Sequence, residues 1–164
     1  MNFLAVFGAA FIPIIVGFVW YNPKVFGNAW RKAAGKTQAD LDKGNMAVIL
    51  GLSYVLSLLL ALGLSGLTNH QSGVNQLFAM HPDFGQAGTE VQILFEAVMA
   101  EFGNTHRTFG HGVIHGIIGA VLIALPIITI NALFERRGGK YIGIHFGYWL
   151  LTLGLMGGVV CQFL

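Results

Sequence analysis

The chain has 164 residues, of which 55% are hydrophobic and 10% are charged. Soluble domains carry roughly 25% charged residues, so this composition excludes an ordinary water-soluble globular protein. The formal net charge is only +2. It gives no support for nucleic-acid binding, which relies on a strongly basic surface.

Four runs without Asp, Glu, Lys or Arg predict four membrane-spanning helices. They cover residues 3–21, 46–67, 111–134 and 141–163. Each has 19 to 24 residues, which matches the ~20 residues that a helix needs to cross the hydrocarbon layer. The first run lacks a basic leader and a clear cleavage site, so we expect it to be retained as a helix. The predicted fold is all-α, a membrane-embedded four-helix bundle that forms one domain over residues 1–164.

The basic residues divide unevenly among the three connections between these helices. The first and last connections hold eight of the nine: Lys24, Arg31, Lys32, Lys36, Lys43, Arg136, Arg137 and Lys140. The middle connection has only Arg107. By the positive-inside rule, we expect the first and last connections in the cytoplasm, and the middle connection outside together with both termini.

Two amphipathic helices are predicted in the connections. Residues 23–34 combine apolar residues on one face with basic residues beside it, which is typical of a helix at the headgroup level with Trp30 as its anchor. Residues 89–102 repeat apolar residues at helical spacing opposite three glutamates. We expect this outer helix to pack across the end of the bundle or against a partner. Thr37 and Asp40 resemble a capping box, which predicts a further helix that runs toward the second span.

Small residues recur at every fourth position in three of the spans: Ser53, Ser57, Ala61 and Ser65; Gly112, Gly116, Ala120 and Ala124; Gly143 and Gly147, then Gly154 and Gly158. Such ridges let membrane helices approach closely. Either they pack within one bundle, or one of them faces a second copy in a homodimer. Pro13 predicts a kink in the first span, and the lone cysteine, Cys161, is interpreted as a small packing residue.

The third span begins with two histidines, His111 and His115, which are four residues apart on one helix face. This spacing suits two ligands of one metal ion. With His106 and Glu101 they would supply three or four ligands for zinc or a similar divalent ion. The alternative is a solvated polar rim. Depth favours the rim, because the nineteen residues after His115 already span about 28 Å of the ~30 Å hydrocarbon thickness.

Four polar residues are predicted inside the spans: Ser53, Ser57, Asn131 and His145. The predicted topology separates His145 from His115 by most of the bilayer, so we do not expect a haem held between them. Asn131 lies near the same end as His145 and is the predicted hydrogen-bond partner. The spans contain no carboxylate or basic side chain, and the chain has no recognisable catalytic motif. We therefore do not expect an enzyme.

The stretch "GFVWYNPKVFGNAW" (17–30) resembles the bacterial domain-of-unknown-function family 1761. The resemblance rests on an aromatic pair, a small polar residue and Pro, followed by Phe-Gly and Trp: Trp20, Tyr21, Asn22, Pro23, Phe26, Gly27 and Trp30. It continues at "LDKGNMAVILGLSYVLSLLLALGL", "TINALFERR" and "FGYWLLTLGLMGGVV". It implies a small four-helix integral membrane protein without assigned activity, and it supplies no catalytic residues. The long outer connection and "HGVIHG" depart from the family pattern.

Three functions are compatible with these features. The first is a non-enzymatic scaffold or accessory subunit of a bacterial inner membrane, which self-associates or packs on a larger membrane complex. The second is a dimeric channel or transporter for a small solute, which a cavity lined by the four polar residues of the spans would favour. The third is a metal-binding membrane protein that uses the outer histidines. No cofactor is expected under the first two.

Overall fold

The computed structural model describes residues 2–164, and in that range it contains helices and turns but no strand. Four helices are long and apolar enough to cross a membrane, so the chain is an all-α membrane protein, as predicted. We call them span one (Phe3–Trp20), span two (Met46–Thr68), span three (Phe109–Phe134) and span four (Gly139–Phe163). In chain order the helices are α1 Phe3–Ala9, α2 Ile12–Trp20, α3 Gly27–Ala33, α4 Gln38–Asp42, α5 Met46–Thr68, α6 His70–Ala79, α7 Glu90–Phe102, α8 Phe109–Gly119, α9 Leu125–Phe134 and α10 Gly139–Phe163.

Span one is interrupted between α1 and α2. Pro13 occupies the first turn of α2, where the missing N–H of proline costs nothing. A continuous helix would drive its ring into the carbonyl group of Ala9, and α1 ends at that residue. The kink expected from the proline is therefore present as a break.

Two short helices connect spans one and two. The capping box of α4 is formed as predicted, because the Asp40 carboxylate accepts hydrogen bonds from the backbone N–H and hydroxyl of Thr37, while Asp40 N–H donates to the Thr37 hydroxyl. This helix does not continue into span two. It ends at Asp42, and span two has its own N-cap, Asn45, whose side chain accepts from Val48 N–H at 3.2 Å.

The connection between spans two and three folds into a helical hairpin of α6 and α7. The outer helix is present as Glu90–Phe102, whereas α6 was not predicted. Rings of Phe78, Phe84 and Phe95 meet between the two helices with centroids 5.0–6.3 Å apart. Of the apolar face predicted on the outer helix, Phe95 packs within this hairpin, whereas Leu94 and Phe102 are exposed.

Span three contains a π-helical turn, Ala120–Ala124, between α8 and α9. Pro126 lies two residues after its end. Proline lacks an N–H and its ring clashes with the carbonyl group four residues earlier, here Leu122. A π turn widens the helix at that point, which is a known way to accommodate an interruption of the hydrogen-bond ladder.

Spans three and four form the tightest contact in the bundle. A Cβ atom added at Gly112 would meet the backbone of Gly157, and one added at Gly116 would meet the carbonyl group of Leu153. The glycine ridges of these two spans therefore contact each other within one chain. Half of the most apolar stretch of span four is buried, against 17% for spans two and three. The side chains of Met156, Val160 and Cys161 form the centre of the core.

The two ends of the bundle differ in charge. One end, which we call the histidine end, carries the start of span one, the end of span four, the α6–α7 hairpin and the first turns of span three. The basic end carries the connections that hold Arg31 and Arg137. The connections at the basic end hold eight basic and three acidic residues, a net charge of +5, and the hairpin end holds one basic and four acidic residues, a net charge of −3.

Candidate functional site

Three histidines converge at the histidine end. One ring nitrogen from each of His70, His111 and His115 lies within 4.8 Å of the other two. The Nε2 atoms of His70 and His111 are 3.0 Å apart. The ring centroid of His115 lies 5.0 Å from that of His70 and 4.5 Å from that of His111. Together these three residues form what we call the histidine cluster.

Two helix starts supply the histidine cluster. Span two ends at Thr68, and the chain turns at Asn69 so that His70 is the first residue of α6. His111 and His115 lie on successive turns of span three, where the i and i+4 positions share a face. The hydroxyl of Thr108 caps this helix by accepting a hydrogen bond from the backbone N–H of His111 at 3.2 Å.

The membership of this cluster differs from the predicted set. His70 belongs to it and was not predicted. His106 lies beside it, with its ring stacked on that of His111 at 5.1 Å, but it is outside the group whose nitrogens converge. Glu101 is exposed near the end of α7 and is also outside that group. Of the four residues predicted as a set, the structure thus brings only His111 and His115 into this group.

The arrangement of the cluster suits a tetrahedral metal ion. Zn²⁺–N bonds of 2.0–2.1 Å place two ligating nitrogens about 3.3 Å apart. The Nε2 atoms of His70 and His111 are already close to that separation, at 3.0 Å, and the remaining nitrogens need to move by at most about 1.5 Å from the 4.8 Å limit to reach it. Three imidazoles on one side of an ion leave the fourth position open to water or an exchangeable ligand.

A second polar group lies at the basic end, around His145 of span four. Its Nε2 accepts a hydrogen bond from the indole N–H of Trp30 at 3.1 Å, and its Nδ1 lies 3.0 Å from the hydroxyl of Tyr21. The indole N–H of Trp20 donates to the carbonyl oxygen of Ile144 at 3.0 Å. The segment after span one thus folds back onto the first turns of span four.

These bonds define the proton positions on His145. An indole nitrogen is a donor only, so Nε2 must be the unprotonated nitrogen of a neutral imidazole. The ring hydrogen then lies on Nδ1 and is donated to the oxygen of Tyr21. Burial raises the pKa of the Tyr21 hydroxyl above its ordinary value, so Tyr21 stays protonated and keeps one hydrogen available for another acceptor.

The predicted partner of His145 was wrong. Asn131 is exposed, and both ring nitrogens of His145 are taken by Trp30 and Tyr21. Ser57 is buried, and its hydroxyl donates to the carbonyl oxygen of Ser53 at 2.7 Å within span two. Of the four polar residues predicted inside the spans, Ser53 and His145 line one cavity, and Ser57 and Asn131 are not among its lining residues.

A family model described as "Protein of unknown function (DUF1761)" matches residues 4–161. The chain belongs to this family. The match covers nearly its whole length and agrees with the resemblance carried by the segment after span one. No curated protein and no solved structure matches the chain.

The motif that carries the DUF1761 resemblance forms a tight turn. The backbone N–H of Phe26 donates to Trp20 and that of Gly27 donates to Asn22, while the rings of Trp20 and Phe26 pack 4.5 Å apart. A Cβ atom at Gly27 would meet the backbone carbonyl of Tyr21, so no larger residue fits there. Pro23 supplies its carbonyl oxygen to the side chain of Asn28.

Proposed function

We propose that this DUF1761 protein binds a divalent metal ion, best matched by Zn²⁺, through the histidine cluster. The observation that carries the proposal is the convergence of three imidazole nitrogens within 4.8 Å at one end of the bundle. Imidazole nitrogens are the ligands that Zn²⁺ and similar ions commonly use. The ion would clamp the start of α6 onto span three and leave one coordination position open.

The position of the cluster agrees with this function. His70 is exposed and His111 and His115 are half-buried, so an ion can reach the site from water. The ion would be held from two separate segments of the chain, by His70 at the start of α6 and by His111 and His115 at the start of span three. The surrounding end of the bundle carries a net charge of −3, which attracts cations.

Metal analysis of the detergent-purified protein tests the proposal. After dialysis against Zn²⁺ and then against metal-free buffer, we expect about one ion per chain in the parent. His70→Ala, His111→Ala and His115→Ala should each lose most of it. His106→Ala and His81→Ala should retain it, because His106 lies outside the group and His81 pairs with Asp83 in the hairpin turn.

A second readout separates loss of ligands from loss of fold. Co²⁺ bound in a tetrahedral nitrogen site gives visible absorption bands, and the parent and the His106→Ala protein should share them. Each variant should also elute as the parent does in size-exclusion chromatography. A parent that keeps no metal after dialysis, or metal retention that is unchanged in all three cluster variants, would refute the proposal.

The scaffold or accessory-subunit function stays a prediction, as does the homodimer. Their main support was the small-residue ridges. In span three, Gly112 and Gly116 are covered within one chain by Gly157 and Leu153 of span four, whereas Gly143 of span four has open space beside it. Light scattering of the detergent-purified protein measures the number of chains directly. The location in a bacterial inner membrane and the external position of both termini also stay predictions. A C-terminal reporter fusion checks on which side of the membrane the C-terminus lies.

A further inference from the structure

A cleft opens between spans one, two and four at the basic end. Its volume is about 760 Å³. Its walls are mostly apolar, with the polar groups of Tyr21, Ser53 and His145 among them. A second cavity of about 320 Å³ shares Trp30 and His145 with this cleft. It is lined further by Lys36 and Arg137 and by the carboxylates of Asp40 and Glu135. We call the first the cleft and the second the basic pocket.

The cleft has the position and the lining for a hydrocarbon chain. Its span-two residues run from Met46 to Ser53, which is about 10 Å along a helix at 1.5 Å per residue. The cleft therefore lies within one leaflet. Met46 and Ile49, at its edge, are 57% and 47% exposed. An exposed apolar edge at this depth opens the cleft sideways to the membrane, where acyl chains are the available occupants.

The basic pocket contains an arginine with unused donors. The guanidinium of Arg137 makes no side-chain hydrogen bond within residues 2–164, and its Nε is buried without a partner. The carboxylate of Glu135 forms an ion pair with this guanidinium at 3.6 Å from Nε, a distance too long for a hydrogen bond, so the N–H donors of Arg137 stay open. Lys36 forms no ion pair within the same residues, since the neighbouring Asp40 carboxylate is held by Thr37 and Lys43.

An oxyanion with several oxygens would satisfy these donors. Arginine guanidinium groups bind phosphate with two parallel hydrogen bonds, and lysine adds a point charge. The connections at this end carry a net charge of +5. Positive charge next to a membrane attracts anionic lipid headgroups. A free phosphate would use the basic pocket but leave the cleft unexplained.

We propose that the cleft and the basic pocket together bind one anionic phospholipid of the adjacent leaflet. One acyl chain occupies the cleft between spans one and two. The phosphate lies against Arg137 and Lys36, beside the Trp30–His145 contact that the two cavities share. This site is separate from the histidine cluster and does not depend on metal binding there.

Native mass spectrometry of the delipidated full chain tests this proposal. The probes are phosphatidylglycerol and phosphatidylcholine with identical acyl chains, added separately and with excess inorganic phosphate. We expect the parent to retain phosphatidylglycerol preferentially. Arg137→Gln should weaken its binding by about tenfold or more, which is the loss expected for a charge-assisted hydrogen bond. Lys36→Gln should act in the same direction without disturbing a packed side chain.

Matched variants separate the site from general effects. Lys140→Gln removes one positive charge at the same end but outside the basic pocket, and it should leave binding near the parent level. Ser53→Phe fills the cleft and should lower the binding of both lipids, whereas Leu56→Phe, at a position 63% exposed on the same span, should not.

Four results would overturn the proposal. They are equal retention of the two lipids by the parent, equal losses in Arg137→Gln and Lys140→Gln, unchanged binding in Ser53→Phe, and displacement of phosphatidylglycerol by inorganic phosphate. The last result would mean that the basic pocket binds a free anion and that the cleft takes no part.

Discussion

The contact between spans three and four makes a quantitative prediction for Gly116→Ala. The added Cβ atom would lie 2.6 Å from the carbonyl carbon of Leu153 and 2.9 Å from the Cα atom of Gly154. Both neighbours are backbone atoms, so no side chain can rotate away. The carbonyl oxygen of Leu153 is closer still, so restoring contacts of about 3.5 Å requires the two helices to separate by about 1 Å or more. A gap of that size forfeits a quarter to a half of the contact energy of the atoms facing it.

The expected cost is about 1–3 kcal/mol of unfolding free energy, the range for overpacked interiors. For a chain of this length, that corresponds to a fall in Tm of about 2–12 °C. Thermal unfolding in one detergent, followed by size-exclusion of the heated samples, measures it. The matched control is Gly51→Ala, where nothing lies within 4 Å of the added atom and a better helix former should leave Tm equal or higher. Equal Tm values for Gly116→Ala and the parent, or equal losses in both variants, would refute the reasoning.

Three further predictions concern hydrogen bonds. Trp30→Phe keeps an aromatic side chain but removes the indole N–H, which leaves Nε2 of His145 without its donor. We expect a loss of about 1–3 kcal/mol of unfolding free energy, measured as a lower Tm. Thr108→Ala removes the N-cap of span three at a cost of about 1 kcal/mol of unfolding free energy. It should also weaken Zn²⁺ retention, because the cap holds the turn that carries His111. An unchanged metal content would show that Zn²⁺ binding does not depend on this cap. Hydrogen bonds from Thr37 hold the pKa of Asp40 below its ordinary value, so its contribution to α4 is present above the unfolded-state pKa and lost as pH falls through the lowered one. The protection factors of residues 38–42, which are exchange rates divided into the intrinsic rates at the same pH, should therefore be higher at pH 7 than at pH 2.5, and this difference should disappear in Asp40→Asn.

The membrane fold was predictable from sequence because one physical condition dominates it. A helix in lipid must be uncharged over its whole length, and four uncharged runs are visible without any knowledge of packing. The observed spans begin and end within two residues of the predicted runs. The break near Pro13 and the capping box at Thr37 were also predictable, since each depends only on residues within one turn.

The membership of the histidine cluster was harder to predict, because it depends on a contact between distant segments. His70 is 41 residues from His111 in sequence. A signal was nevertheless available: His70 directly follows span two, and the predicted topology brings the end of span two and the start of span three to the same side of the membrane. His106 and Glu101 are predicted because they are near His111 in sequence. Helix α7 ends at Phe102, however, and His106 has a positive φ of 61°, so the chain changes direction between Glu101 and His111.

The partners of His145 illustrate a different limit. Hydropathy shows that the segment after span one lies at the basic end, but it does not show that this segment folds back against span four. The tight turn at Gly27 makes the fold-back possible, because it brings Trp30 and Tyr21 to the same ring. Asn131 was predicted on depth alone, and depth does not determine which face of a helix a residue occupies.

Span four contacts both the histidine cluster and the residues around His145. One face of it holds His145 against Trp30, and further along the helix Leu153 and Gly157 contact the turns that carry His111 and His115. A Cβ atom at Gly116 acts only on the second contact. Gly116→Ala should therefore weaken Zn²⁺ retention at the histidine cluster while phosphatidylglycerol binding at the basic end stays at the parent level. If Gly116→Ala lowered both Zn²⁺ retention and phosphatidylglycerol binding, span four would shift as a rigid rod. The two sites would then be mechanically coupled through its 25 residues.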